Sequence, residues 1–87
     1  MITIVKAKPL PNGFWYSTKW DILRTLRDSE NFLVAVKEND TADPSIMTKE
    51  ELFKNAGTEF KIKDEEFSAE PAEPTWKLTP INKDITT

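Results

Sequence analysis

Apolar and polar positions alternate at the start of the chain. Over residues 2–7 this alternation and the β-branched side chains are typical of a strand that buries one face. The positions expected to point inward are Ile2, Ile4 and Ala7. Pro9 cannot donate a ladder hydrogen bond, and Pro11-Asn12-Gly13 favours a turn. The pattern therefore predicts a first strand, a reversal of the chain, and a short returning strand over residues 14–17.

A helical pattern follows this turn. Thr18 and Asp21 have the spacing of a capping box, which predicts a helix near residues 19–28. The apolar side chains expected to share its buried face are Trp20, Ile22, Leu23 and Leu26. The side chains expected on its other face are Lys19, Arg24, Arg27 and Asp28. We therefore expect the basic side chains of this helix to face solvent.

Two further strands and a second helix are predicted in the middle of the chain. Residues 32–36, FLVAV, are an uninterrupted apolar run, which indicates a central strand covered on both faces. Residues 37–44 are polar and predict a loop. Thr48 and Glu51 have capping-box spacing and predict a short helix near residues 49–56. After Gly57, a helix-ending residue, the alternation in TEFKIK predicts an edge strand over residues 58–63.

The C-terminal part changes in composition. Residues 64–74, DEEFSAEPAEP, combine acids with two prolines and predict a mobile acidic loop. Trp76 lies in a stretch that predicts a last, loosely held strand, and residues 81–87 are expected to fray. Together these elements predict a single α+β domain over residues 1–80. Its antiparallel sheet would have about four strands, with one main helix packed on it and a second short helix.

The composition excludes several kinds of chemistry. The 87-residue chain contains no cysteine, which removes disulfides, thiolate nucleophiles and sulfur-based zinc sites. It also contains no histidine, the commonest general base and metal ligand. With only Gly13 and Gly57, there is no glycine-rich phosphate loop. We therefore expect no enzymatic activity, no metal and no cofactor. The chain has no apolar run long enough to cross a membrane, so we expect a cytoplasmic protein without membrane contact.

Charge is distributed unevenly along the chain. Residues 1–37 contain six basic and three acidic side chains, whereas residues 38–87 contain six basic and twelve acidic ones. The two halves either attract each other within the fold or present one basic and one acidic surface to partners.

The segment 14–27, FWYSTKWDILRTLR, is the main candidate binding surface. It holds four of the nine aromatic residues together with several basic ones. Tryptophan, tyrosine and arginine are enriched among the residues that dominate protein interfaces. The predicted partner-binding residues are Trp15, Tyr16, Lys19, Arg24 and Arg27. The same segment predicts, as an alternative, stacking of single-stranded nucleic acid on Phe14, Trp15, Tyr16 and Trp20.

The acidic segment is a second candidate, because it could dock on a basic groove of a partner. Its residues are Asp64, Glu65, Glu66, Glu70 and Glu73. A solvated linker is the other interpretation of such a charged run.

These observations favour a non-enzymatic binding protein that acts as a small inhibitor or adaptor by occupying a surface of a partner protein. The expected partner is a host or cellular protein, with nucleic-acid-processing enzymes among the candidates. Small acidic chains without histidine, cysteine or cofactor motifs are common among viral proteins that inhibit host factors, which is an association rather than a physical argument. The alternatives are a single-stranded nucleic-acid-binding protein and a structural subunit of a homo-oligomeric assembly. The sequence leaves the oligomeric state open.

Overall fold

Strands and helices follow one another along the chain in a computed structural model that describes residues 1–72 and 74–81. Their order is β1 (Thr3–Leu10), α1 (Lys19–Asp28), β2 (Asn31–Lys37), β3 (Ser45–Thr48), α2 (Lys49–Ala56), β4 (Glu59–Ile62), β5 (Glu65–Ala72) and β6 (Thr75–Pro80). The described residues thus form a small α+β domain with two helices and six strands. The α+β prediction is confirmed.

All six strands belong to one mixed sheet with the order β3-β2-β1-β4-β5-β6. Neighbouring strands are antiparallel except β1 and β4, which are parallel. The prediction of an antiparallel sheet of about four strands is therefore wrong. The additional strands are β3, whose four residues are too few to show a pattern, and β5.

Strand β5 replaces the predicted mobile acidic loop over residues 64–74. Phe67 and Ala69 of this strand are buried, and Phe67 lies opposite Phe60 of β4. Alternating burial of this kind is typical of a strand, and the acids on either side of this stretch obscured it in the sequence. Pro71 lies opposite Trp76 and beyond the residues that pair with β4, so its missing N–H removes no bond to that strand. The strand predicted around Trp76 is confirmed as β6.

Both helices cover the same face of the sheet. Helix α1 packs against β1, β4 and β6, and α2 packs against β2 and β3. Their buried side chains join those of the strands in one core, which contains Ile4, Ala7, Ile22, Leu26, Phe32, Val34, Val36, Leu52, Phe60, Ile62, Phe67, Ala69 and Trp76. In the described part of the chain, no second layer of helices or strands covers the opposite face, here called the open face.

The helix boundaries follow from local side-chain bonds. In α2 the amide of Glu51 donates to the Thr48 hydroxyl over 3.2 Å, and the Thr48 amide donates to Glu51 Oε1 over 3.0 Å. The predicted capping box is thus confirmed, and α2 ends at Gly57, which has a φ of 69°. At α1 the Thr18 hydroxyl caps the Asp21 amide, but the Asp21 carboxylate accepts from that hydroxyl instead of from the backbone.

A β-bulge at Val5 determines which side chains of β1 face the core. Ile4 lies opposite Val36 and Lys6 lies opposite Ala35, so Val5 is the extra residue. Because the bulge shifts the alternation by one, Ile4 and Ala7 both point inward although they are three residues apart. Lys6 and Lys8 consequently lie on the open face.

Residues 14–17 do not form the predicted strand. They make a single bridge in which Ala7 and Tyr16 exchange two backbone hydrogen bonds, of 3.0 and 2.7 Å. Of the predicted frayed tail, residues 82–87 lie outside the described residues, whereas the Ile81 amide donates to the Glu66 carbonyl over 2.9 Å. Neither helix in the described ranges has the length and apolar character needed to span a membrane.

Candidate binding surfaces

Three large aromatic rings are exposed within one short segment of the chain. Phe14 is 78%, Trp15 40% and Trp20 71% exposed. Trp76, in contrast, is only 6% exposed and forms an edge-to-face contact with Phe32, with ring centroids 5.8 Å apart. One tryptophan therefore belongs to the core, whereas the other two are available on the surface.

Trp20 lies on the outer side of α1. The inward residues of this helix are Ile22, Thr25 and Leu26. The prediction that Trp20 packs on the sheet is therefore wrong. Trp20, Arg24 and Arg27 follow one another at spacings of four and three residues, which places them on the same helix face. We call these three residues the helix stripe.

The charges of the helix stripe are balanced locally. Arg24 donates to the Asp21 carboxylate over 2.7 Å, and Arg27 donates to the Asp28 carboxylate over 3.2 Å. Both arginine side chains remain more than half exposed. Exposed ion pairs of this kind contribute little to stability, on the order of 0–1 kcal/mol. Their effect here is that each arginine of the helix stripe carries a neighbouring negative charge, so the stripe has no large excess of positive charge.

Lys19 links residues 14–27 to the acidic segment, which were predicted as two separate binding sites. Its ammonium group forms a 3.1 Å ion pair with Glu65 of β5 and lies 5.9 Å from the centroid of the Trp20 ring. Two predicted binding residues, one basic and one acidic, therefore contact each other within the protein.

Trp15 lies on the open face of the sheet. It lines an open groove of about 490 Å³ together with Val5, Lys6, Ala35, Pro44 and Ile46. This set of residues is called the sheet groove below. Tyr16 points to the other side, because it pairs with Ala7, whose side chain belongs to the core. The predicted site over residues 14–27 is thus divided between opposite sides of the sheet.

Lys6 lines the sheet groove, and two further lysines lie on the same face of β1 and β2. Lys6 lies opposite Ala35, Lys8 lies opposite Leu33, and Lys37 lies opposite Thr3, so all three lie at outward positions of β1 and β2. The outward positions of β1, β2 and β3 contain no acidic residue. Lys6, Lys8 and Lys37 were not among the binding residues predicted from the sequence. The signal that could have found the first two is the KAK alternation that follows the bulge.

The predicted acidic docking loop is distributed over both faces of β5. Glu65 points toward α1, where it meets Lys19. Glu66 and Glu70 lie on the open face opposite Lys61 and Lys77. Asp64 is exposed in the turn before β5, and Glu73 lies outside the described residues. The four acids that the structure describes therefore do not form one continuous acidic surface.

A fourth exposed ring lies on α2. Phe53 is 48% exposed and lines a shallow groove with Lys49, Glu50, Pro71 and Trp76. The Lys49 ammonium donates to the carbonyl oxygens of Glu30 and Pro74, over 3.1 and 2.9 Å. The Lys49 ammonium group therefore links the loop before β2 to the turn between β5 and β6.

Among residues 1–72 and 74–81, no three acidic side chains converge in a way that could hold a metal ion. Comparisons of the chain with protein-family models, with curated proteins and with solved structures gave no match.

Proposed function

We propose that this protein is a non-enzymatic binding protein that occupies a surface of a partner protein through the helix stripe, as a small inhibitor or adaptor does. The observation that carries the proposal is the 71% exposure of Trp20, which lies in the first turn of α1 on the same helix face as Arg24 and Arg27. A large ring left in water forgoes the stabilisation that burial would give, roughly 1.5–3 kcal/mol for large apolar side chains. Burial against a partner would recover that free energy.

The composition of the helix stripe favours a protein over a polyanion. Tryptophan and arginine are the residues most enriched among interface hot spots. A polyanion is attracted by a net positive surface, whereas Asp21 and Asp28 offset the charges of both arginines. An apolar ring with paired charges at its rim instead matches the apolar centre and polar rim of a protein interface.

The experiment is affinity capture from the native cell lysate with the wild-type chain and with the double variant Trp20→Ala plus Arg24→Ala. The matched control is Phe53→Ala plus Lys54→Ala, which removes one exposed ring and one positive charge from α2. We expect one protein to be retained by the wild type and by the control and to be lost with the helix-stripe variant. Equal retention by all three folded proteins would contradict the assignment of this surface.

A second copy of the chain is the alternative occupant of the helix stripe, as in a homo-oligomeric assembly. Light scattering at increasing protein concentration distinguishes a different partner protein from a second copy of the chain. A monomer up to high concentration supports a different protein as the partner. A dimer that the double variant abolishes would assign the helix stripe to self-association.

A further inference from the structure

The open face carries a surface that is independent of the helix stripe. The helix stripe lies on the outer side of the helical layer, whereas the sheet groove lies on the uncovered side of the sheet. The two surfaces differ in charge. Both arginines of the helix stripe are paired with acids, but Lys6, Lys8 and Lys37 share the open face of β1 and β2 with no acid.

The two halves of the open face provide an internal comparison. In the half formed by β4, β5 and β6, Lys61 lies opposite Glu66 and Lys77 lies opposite Glu70. Residues of opposite charge therefore face each other across these strands. In the half formed by β1, β2 and β3, the residues opposite the three lysines are Ala35, Leu33 and Thr3. The positive charge of this half is therefore not compensated within the sheet.

An aromatic ring lies within this positive half. Trp15 is 40% exposed and lines the sheet groove, whose other walls include Val5, Pro44 and Ile46. Ala35, at the floor, is only 4% exposed although it points away from the helices. A ring on an apolar floor beside lysines is the arrangement by which proteins stack a base and neutralise the adjacent phosphates.

We infer that the open face of β1, β2 and β3 binds single-stranded nucleic acid, with one base against Trp15 and phosphates on Lys6, Lys8 and Lys37. In a duplex the flat faces of the bases are covered by stacked neighbouring base pairs, so a base that stacks on Trp15 comes from a single strand. Lys6 and Lys8 project from the same side of one strand about 7 Å apart. That separation is comparable to the step between successive phosphates of an extended strand.

An acidic peptide satisfies fewer of these features. Carboxylates could meet the lysines, but an acidic peptide has no ring for Trp15 at each repeat. In a nucleic acid every phosphate is accompanied by a base. The groove and the lysines together therefore favour the nucleic acid, and an acidic polypeptide becomes an outcome of the test.

The test is a tryptophan-fluorescence titration with a ten-nucleotide oligothymidylate, its duplex with oligoadenylate, and polyglutamate, each at low and high salt. We expect saturable quenching by the single strand alone. The variant Trp15→Leu should remove the quenching, whereas Trp20→Leu should retain it.

Charge variants then locate the surface. The double variant Lys6→Gln plus Lys8→Gln should weaken binding of the oligothymidylate about tenfold or more. It should also reduce the slope of log K against log salt by about 1.4, since each lost phosphate contact contributes about 0.7. The matched control Lys61→Gln plus Lys77→Gln removes the same charge from the other half of the open face and should leave affinity unchanged.

Three results would overturn the inference. They are the absence of saturable binding to the oligothymidylate, an equal loss of affinity in the control variant, and binding of polyglutamate as tight as that of the oligothymidylate. Circular dichroism of each variant establishes that it is folded before its affinity is compared.

Discussion

The three tryptophans of the chain occupy three different environments. Trp76 is enclosed by Phe32, Phe60 and the Lys49 ammonium group. Trp15 borders the sheet groove, and Trp20 stands on the outer side of α1. Only the first of these rings contributes to the core. The other two are large apolar surfaces that folding leaves in contact with water.

Substitution of Trp20 by alanine should therefore leave the free energy of unfolding nearly unchanged, within about 0.5 kcal/mol. Leu26 lies on the opposite side of the same helix and is fully buried, so Leu26→Ala should lower it by about 2–5 kcal/mol. Urea denaturation followed by circular dichroism measures both. A loss of more than about 2 kcal/mol for Trp20→Ala would show that this ring packs on the protein.

The sequence pattern wrongly predicted that Trp20 is buried, and this error has a physical cause. The sequence shows Trp20, Leu23 and Leu26 at spacings of three, which indicates one apolar face. The inward face actually includes Thr25, whose hydroxyl donates to the Asp21 carbonyl over 2.8 Å. A polar side chain that satisfies its hydrogen bond within its own helix can be buried. Apolar spacing alone could not reveal this.

In strand β1, the extra residue of the bulge determines which side chains lie on the open face. The bulge at Val5 brings Ile4 and Ala7 to the core and Lys6 and Lys8 to the open face. Without a shift of this kind, strict alternation from Ile4 would direct Lys6 toward the helices. The basic character of the open face therefore depends on the register of β1 after the bulge.

Deletion of Val5 should be tolerated, because Ile4 and Lys6 already pair with consecutive residues of β2. We expect a folded protein whose free energy of unfolding falls by about 0.5–3 kcal/mol, the usual range for one change. Deletion of Leu33 from β2 is the control. It moves one part of that strand by one position and turns Phe32 or Val34 away from the core. Thermal unfolding followed by circular dichroism should be cooperative for the Val5 deletion, whereas the Leu33 deletion should show no cooperative transition. The reverse result would contradict the register of β1 and β2.

The helices were more predictable than the strands. Capping residues define helix starts locally, so Thr18 and Thr48 marked both N-termini correctly. The strands β3 and β5 depend on partners distant in sequence. Four residues of β3 pair with β2, and β5 buries Phe67 within an acidic stretch that suggested a loop. These two segments are strands because they pair with neighbouring strands. No local sequence pattern indicates that pairing.

In the described part of the chain the helices lie on one face of the sheet only, and this arrangement separates the candidate surfaces. Residues 14–17 cross from the end of β1 to the start of α1, so Trp15 and Trp20 belong to different sides. The sequence could identify an unusual density of rings, but it could not assign each ring to a layer. It also could not predict that Lys19 pairs with Glu65, since the two residues are brought together only by packing of α1 near β5. We therefore propose that a partner protein binds on one side of the domain and a single strand on the other, as in an adaptor.

The most direct test of this division is a nuclear magnetic resonance titration that follows the indole N–H signals of the three tryptophans while oligothymidylate is added. We expect the Trp15 signal to shift in proportion to saturation, whereas the Trp20 and Trp76 signals stay in place. Equal shifts for Trp15 and Trp20, or no shift for any indole at saturating ligand, would contradict this expectation.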